Sequence, residues 1–282
     1  MASSSSSFSP MEMNKGGCVN WVELPPELTT SILHLLGAVE IVKTARKVCR
    51  SWRRLCKDPS TWSKIVMHSE EVGDRNYEKL CSHLVRRSQG GLVEIDISRF
   101  GTDPLLRYIA DKSSRHLRIL RISFCYQVTD GGLVAAVSRL PLLEELEVSH
   151  CSLSEECRLR VVGQSCPNLK TFKKNGSGFR GPRHEFDDVF ALAIAETMPR
   201  LCHLELVGDR LSDVGLKAIL NGCPNLEHLD LHKCFNVELV GDLETRCIER
   251  IKVVRRPNDS IHDHPSDARH VASAEGVVIM GR

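Results

Sequence analysis

The chain has 282 residues, 41% of them hydrophobic and 26% charged, and a formal net charge of +2. That composition describes a globular protein of one or two domains, and the near-neutral balance argues against a strongly basic nucleic-acid binder. The longest apolar runs, such as Val189 to Ile194, fall far short of the ~20 residues a bilayer requires, so no membrane span is expected.

Residues 1–20 include five consecutive serines and little apolar material, which predicts a disordered tail. A plastid transit peptide is the rival reading, but such peptides are usually Arg-rich and amphipathic, and no Arg occurs here; a charged-then-apolar secretory signal is also lacking. The twelve cysteines form no CxxC pair. They read as small buried hydrophobes in a reducing compartment, nucleus or cytoplasm, rather than as disulfides or metal ligands.

Residues 21–65 carry three short helical patterns. The first is expected to start after Pro25 and Pro26 and to stop at Gly37, since Pro suits a first turn and Gly a C-terminal cap. Its apolar stripe is Leu28, Ile32 and Leu35, widened by Leu33 and Leu36. A second helix carries Ile41, Val42, Ala45, Val48 and Cys49, and a third Trp52, Leu55 and Cys56. So small a unit can hardly bury all these side chains alone, which predicts docking on another protein. Residues 21–68 hold eight Lys or Arg against four acids, a local charge of +4, which suits an acidic partner.

Residues 66–256 repeat. An L-x-x-L-x-L frame recurs at Leu92, Leu117, Leu143, Leu169, Leu201, Leu226 and Ile248, with steps of 25, 26, 26, 32, 25 and 22. A period near 26 is that of leucine-rich repeats, in which each frame is a strand whose Leu and Ile point inward and a helix returns the chain. Asp130 and Asp213, preceded by Thr129 and Ser212, are expected to cap two of these helices. Cys125, Cys151 and Cys234 share a position just past the strand, where a small side chain fits under the turn. Ile65 and Val66 with the stripe Tyr77, Leu80, Cys81, Leu84 and Val85 would make an opening cap.

The fourth unit departs from the rule: Lys174 stands where an inward apolar residue belongs, and the next step lengthens through a Gly- and Pro-containing insertion bearing Phe179, Arg180 and Arg183. Insertions of this kind often mark a binding face, and aromatic and Arg residues are enriched at interface hot spots. Residues 257–282 lack apolar periodicity and read as a flexible tail; His262, Asp263, His264 and His270 there are better explained by a solvated segment than by a metal site. No cofactor motif is present.

The first segment resembles the F-box. Leu24-Pro25, Glu27-Leu28, Ile32-Leu33, Val48-Cys49-Arg50, Trp52-Arg53 and Trp62 match that pattern, with an extra Pro26 and with Val42 in place of the usual Leu as mild departures. With the cysteine-containing repeats behind it, the chain resembles a plant F-box/leucine-rich-repeat protein. The resemblance implies an α/β fold, a three-helix F-box followed by a solenoid of parallel strands and outer helices. It implies a substrate-recognition subunit of an SCF ubiquitin ligase, without catalysis of its own, bound through a Skp1-family adaptor to a cullin and a RING protein. Such adaptors are acidic, in keeping with the local +4. The adaptor contacts it implies are Leu24, Pro25, Leu28, Ile32, Leu33, Val48, Cys49, Trp52, Leu55 and Trp62.

An unknown protein target would be read by the outward strand column Asp96, Arg121, Glu147, Lys173, Glu205, Asp230 and Lys252, with Phe179, Arg180 and Arg183. The column's mixed signs disfavour nucleic acid. The alternative is a repeat scaffold or inhibitor that binds a partner without ubiquitin transfer.

Overall fold

The computed structural model describes residues 24–151, 159–176 and 187–259. The first expected tail, residues 260–282 of the second and the insertion residues Phe179, Arg180 and Arg183 lie outside the described residues, whereas Pro257, at the expected start of the second tail, is buried and accepts from Lys233 N at 2.9 Å. Within them, α1 (Pro26–Leu35) begins with Pro as its first residue, and the next helical segment runs through α2 (Ala38–Glu40), a π turn (Ile41–Ala45) and α3 (Arg46–Val48). α4 (Arg50–Leu55) follows Cys49, whose extended backbone and Sγ cap it by accepting from Trp52 N at 3.4 Å. A 3-10 turn, Pro59–Trp62, leads into the first strand.

Eight parallel strands follow in sequential order, β1 (Lys64–His68), β2 (Glu94–Ser98), β3 (Ile119–Ser123), β4 (Glu145–Ser149), β5 (Thr171–Asn175), β6 (His203–Glu205), β7 (His228–Asp230) and β8 (Val253–Arg255). The helices between them are α5 (Arg75–Arg87), α6 (Asp103–Ser113), α7 (Asp130–Val137), α8 (Leu159–Ser165), α9 (Val189–Thr197), α10 (Asp213–Gly222) and α11 (Asp242–Arg250). The strands' period of two sends Ile95, Leu120, Leu146, Phe172, Leu204 and Leu229 inward in one register, where they join the helices' apolar faces in one core.

Two backbone ladders tie the rungs together. At the strand entrances one carbonyl accepts two N–H groups from the next rung: Ser63 O takes Val93 and Glu94, Val93 O takes Arg118 and Ile119, and Arg118 O takes Glu144 and Glu145. At the exits a residue of positive φ, Arg99, Phe124, His150, Gly208 or Lys233, donates to the next rung, as in Phe124 N to Ser149 O at 2.9 Å.

The expected caps shift by one residue. Thr129 and Ser212 are the N-caps, accepting from Gly132 N and Val214 N, while Asp130 and Asp213 begin the helices. A hydroxyl in the extended position reaches the free N–H groups of the first turn, whereas a residue already helical points away from them. The last frame is also corrected. Ile248 lies in α11 and is exposed, Ile251 is buried, and Val254 pairs in register with Leu229. The frame therefore starts at Ile251, which restores a step of 25 from Leu226.

Lys174 keeps its inward place because it has a specific partner. Asp209 stands at the post-strand position that Cys125, Cys151 and Cys234 occupy elsewhere, and it receives Lys174 Nζ at 2.9 Å, with the same ammonium 4.1 Å from the Phe190 ring centroid. The apolar pair of other rungs is replaced here by an ion pair with a cation–π contact, which offsets the cost of burying the charge.

All ten described cysteines are free thiols, seven of them buried. The Sγ atoms of Cys125, Cys151 and Cys234 reach carbonyls of the preceding rung, those of Ile97, Ile122 and Leu206. Burial pushes the thiols of Cys81, Cys151 and Cys166 up to about 12, which makes them poor nucleophiles.

α9 and α10 pack closely because Gly222 has no Cβ: one built there would lie 2.1 Å from Ala195 O. Gly222→Ala is expected to destabilise the fold by about 1–3 kcal/mol through forced separation of these helices. Urea unfolding of variant and parent checks it, and an unchanged midpoint would show that the contact relaxes freely.

Candidate functional site

The helical module and the concave sheet face hold the side chains singled out in the sequence, and the structure divides them unevenly. On α1, Leu28 and Leu35 are 54% and 86% exposed, and Ile32, between them on the same face, is half-buried. Val48 is 51% exposed and Pro25 is exposed, with Leu24, Cys49 and Leu55 half-buried. Leu33, Trp52 and Trp62 are buried with Ile41, Ala45 and Cys56 in the core that continues into the repeats. The side chains of these three expected adaptor contacts serve the chain's own packing. Trp62 is 0% exposed, and its indole N–H donates to Cys56 O at 3.1 Å.

The expectation that the module's apolar surface is left over for a partner therefore holds only for part of it. Leu35 was legible in the stripe at i+7 from Leu28, yet was not among the expected contacts; it is the most exposed large apolar side chain among the described residues. The same module carries exposed basic side chains, Lys43, Arg46, Lys47, Arg50, Arg53 and Arg54.

On the concave face the register sets a column Asp96, Arg121, Glu147, Lys173, Glu205, Asp230 and Arg255. Arg255 takes the place expected for Lys252, which lies before the last strand and pairs with Glu227 at 2.8 Å. The column is an interlocked set of charges rather than a row of free ones. Arg121 bridges Glu94 and Glu145, both at 2.6 Å, and Asp230 meets His232 at 2.7 Å. Glu205 receives Lys173 Nζ and His203 Nε2, each at 2.7 Å, and Asn175 Nδ2 at 3.4 Å. At the strand exits Phe124 stacks on His150, centroids 4.6 Å apart, with the Arg99 guanidinium 5.7 Å from the Phe124 centroid.

Burial alone would raise the Glu205 carboxyl, but the His203 hydrogen bond and the Lys173 ammonium outweigh it and hold it at about 2, below its ordinary 4.5. A depressed carboxylate contributes stability that is complete above the unfolded value and is lost as pH falls toward the folded one. Stability is therefore expected to decline between about pH 4.5 and 2, and Glu205→Gln should flatten that decline by up to about 3 kcal/mol. Denaturant titration across this range checks it; parallel acid limbs for variant and parent would contradict it.

Among the described residues no group of His, Cys, Asp and Glu is arranged to hold a metal ion, and no helix is long and apolar enough to cross a membrane.

Helical module and sheet together define a class of protein: a repeat solenoid with a basic, partly apolar helical module built into its first rung. An F-box-like family model matches residues 21–68 and a leucine-rich-repeat model matches residues 113–135. The chain belongs to the F-box/leucine-rich-repeat family. It is 61% identical over 266 residues to the F-box protein SKIP19 of Arabidopsis thaliana, covering 93% of this chain and 85% of the relative. From the same plant, it is 52% identical to the putative F-box/LRR-repeat protein 23, over 92% of this chain and 59% of that one. It is 48% identical to the putative F-box/LRR-repeat protein 21, over 87% and 84%.

Proposed function

We propose that this chain is the substrate-recognition subunit of an SCF-type ubiquitin ligase. Its F-box, residues 21–65, docks a Skp1-family adaptor and through it a cullin and a RING protein, and the repeats, residues 66–256, hold a protein target. Supporting this reading above all is the exposure of Leu28 and Leu35 on one face of α1, in a module that also carries exposed Lys and Arg side chains and in a chain of this family. Such a face loses free energy by remaining in water and gains it against an apolar patch with an acidic rim.

On this reading the accessible adaptor contacts are Leu24, Pro25, Leu28, Ile32, Leu35, Val48, Cys49 and Leu55, and the concave column selects the target. The chain itself catalyses nothing; it brings the target to the ligase in the nucleus or cytoplasm. Co-purification tests the proposal. Recovery of a Skp1-family protein together with a cullin supports it, and recovery of the adaptor with persistent absence of cullin favours a scaffold that binds its partner without ubiquitin transfer.

A further inference from the structure

We infer that the outer face of α5 and α6, the first two helices of the repeats, docks an extended acidic segment of a partner protein. The surface lies on the side of the sheet opposite the concave column, and the inference does not depend on the receptor reading above.

Charge singles these two helices out. Among the described residues, α5 and α6 carry six basic side chains against three acidic ones, whereas α7 to α11 carry four against six. The excess is also uncommitted. Arg75, Lys79, Arg86, Arg107 and Lys112, with Arg115 just beyond α6, are all exposed, and none of them joins an ion pair among the described residues.

The three carboxylates of the same helices are engaged already. Glu78 Oε1 accepts from Thr102 Oγ1 at 2.7 Å, and Asp103 accepts from Thr129 N at 2.8 Å and Thr129 Oγ1 at 2.7 Å. Asp111 pairs with Arg139 at 3.2 Å. Each contact ties one rung to the next, so the acids hold the stack together while the cations face water. The resulting field registers on His83: burial first, then the neighbouring Arg87 and Arg86, hold its ring below the ordinary 6.5, because like charges disfavour the protonated form.

Shape favours an extended chain. A groove of about 450 Å³ lies between the helices, with Lys79, His83 and Arg86 on one wall and Pro104, Leu105 and Tyr108 on the other. Such walls suit a segment whose acidic side chains are interrupted by an apolar one. Arg75 and Arg86 stand near the two ends of α5, about 16 Å apart along its axis, which about five extended residues would span. Cations spread over that length match successive carboxylates, whereas a single phosphate group calls for donors that converge on it. Nucleic acid fits less well. Bases stack on open aromatic faces, and the Tyr108 ring already has the Lys112 ammonium 5.9 Å from its centroid.

The test uses the full chain and a fluorescein-labelled decapeptide alternating Glu and Ser around a central Leu, against a counterpart with Gln at each Glu. In ~0.1 M salt, where exposed charges more than ~10 Å apart are largely screened, the Glu peptide is expected to bind at least ~10-fold tighter. Lys79→Gln, Arg86→Gln and Arg107→Gln combined should weaken it ~10-fold, at an unchanged thermal midpoint because all three are surface positions. Lys79→Gln and Arg86→Gln taken singly are the gentler variants, each expected to lose ~2- to 3-fold. As control, Lys43→Gln, Arg46→Gln and Lys47→Gln combined remove the same charge from the F-box and should leave the peptide's affinity unchanged. Equal affinity for the two peptides, or an equal loss in the F-box control, would overturn the inference. Tighter binding of single-stranded oligo(dT) than of the Glu peptide would also overturn it, by making the surface a nucleic-acid site.

Discussion

Leu28→Lys combined with Leu35→Lys is expected to reduce adaptor affinity at least ~100-fold while leaving the fold unchanged. Burying a leucine side chain contributes about 1.5–3 kcal/mol, and these two stand 54% and 86% exposed. Lysine is the stringent replacement. Against an acidic adaptor it adds attraction, so any loss of binding reports the apolar contact and not a charge clash. Because both positions are surface positions, unfolding free energy should stay within about 0.5 kcal/mol of the parent. Calorimetric titration with a purified Skp1-family adaptor decides the matter, and retained affinity would move the docking surface off α1.

Trp62→Ala should have the opposite profile. With the side chain fully buried between the helical turn and the sheet, its removal leaves a large cavity and strands the Cys56 carbonyl; large aromatic truncations in cores cost about 3–5 kcal/mol. Since F-box and repeats share one core, the loss should appear as a single transition at lower denaturant, not as separate melting of the F-box. If the variant instead kept its stability and lost only adaptor binding, Trp62 would be an interface residue after all.

How much of this was legible follows from what each pattern encodes. Periodicity placed seven of the strands and most returning helices, because stacked rungs demand the same inward residues at the same step. It misplaced the last frame, where Ile248 imitates the spacing but belongs to α11. The F-box helices were readable from apolar spacing, yet spacing says which side chains are apolar and not what covers them. Leu33, Trp52 and Trp62 thus looked like partner contacts and proved to be core. Cys49 was expected at the interface and also caps α4. Lys174 was visible as an anomaly, and the signal that explains it, Asp209 at a position held by Cys in three other repeats, lay 35 residues downstream. The orientation of the Asn175 amide depends on a neighbour two-dimensional patterns do not report, Glu205 on the adjoining strand.

The ladder of doubly accepting carbonyls begins at Ser63, at the end of the 3-10 turn that closes the F-box, and not at the first repeat proper. The F-box is thereby rung zero of the stack. A partner seated on Leu28 and Leu35 and a partner seated over β5 are joined by the spacing of the rungs, ~4.8 Å each, with no tether between them to slacken. The molecule would in this sense be a gauge: on the proposed receptor reading, the number of rungs sets how far from the adaptor a captured segment would be held, and a deleted repeat would shorten that reach by one step.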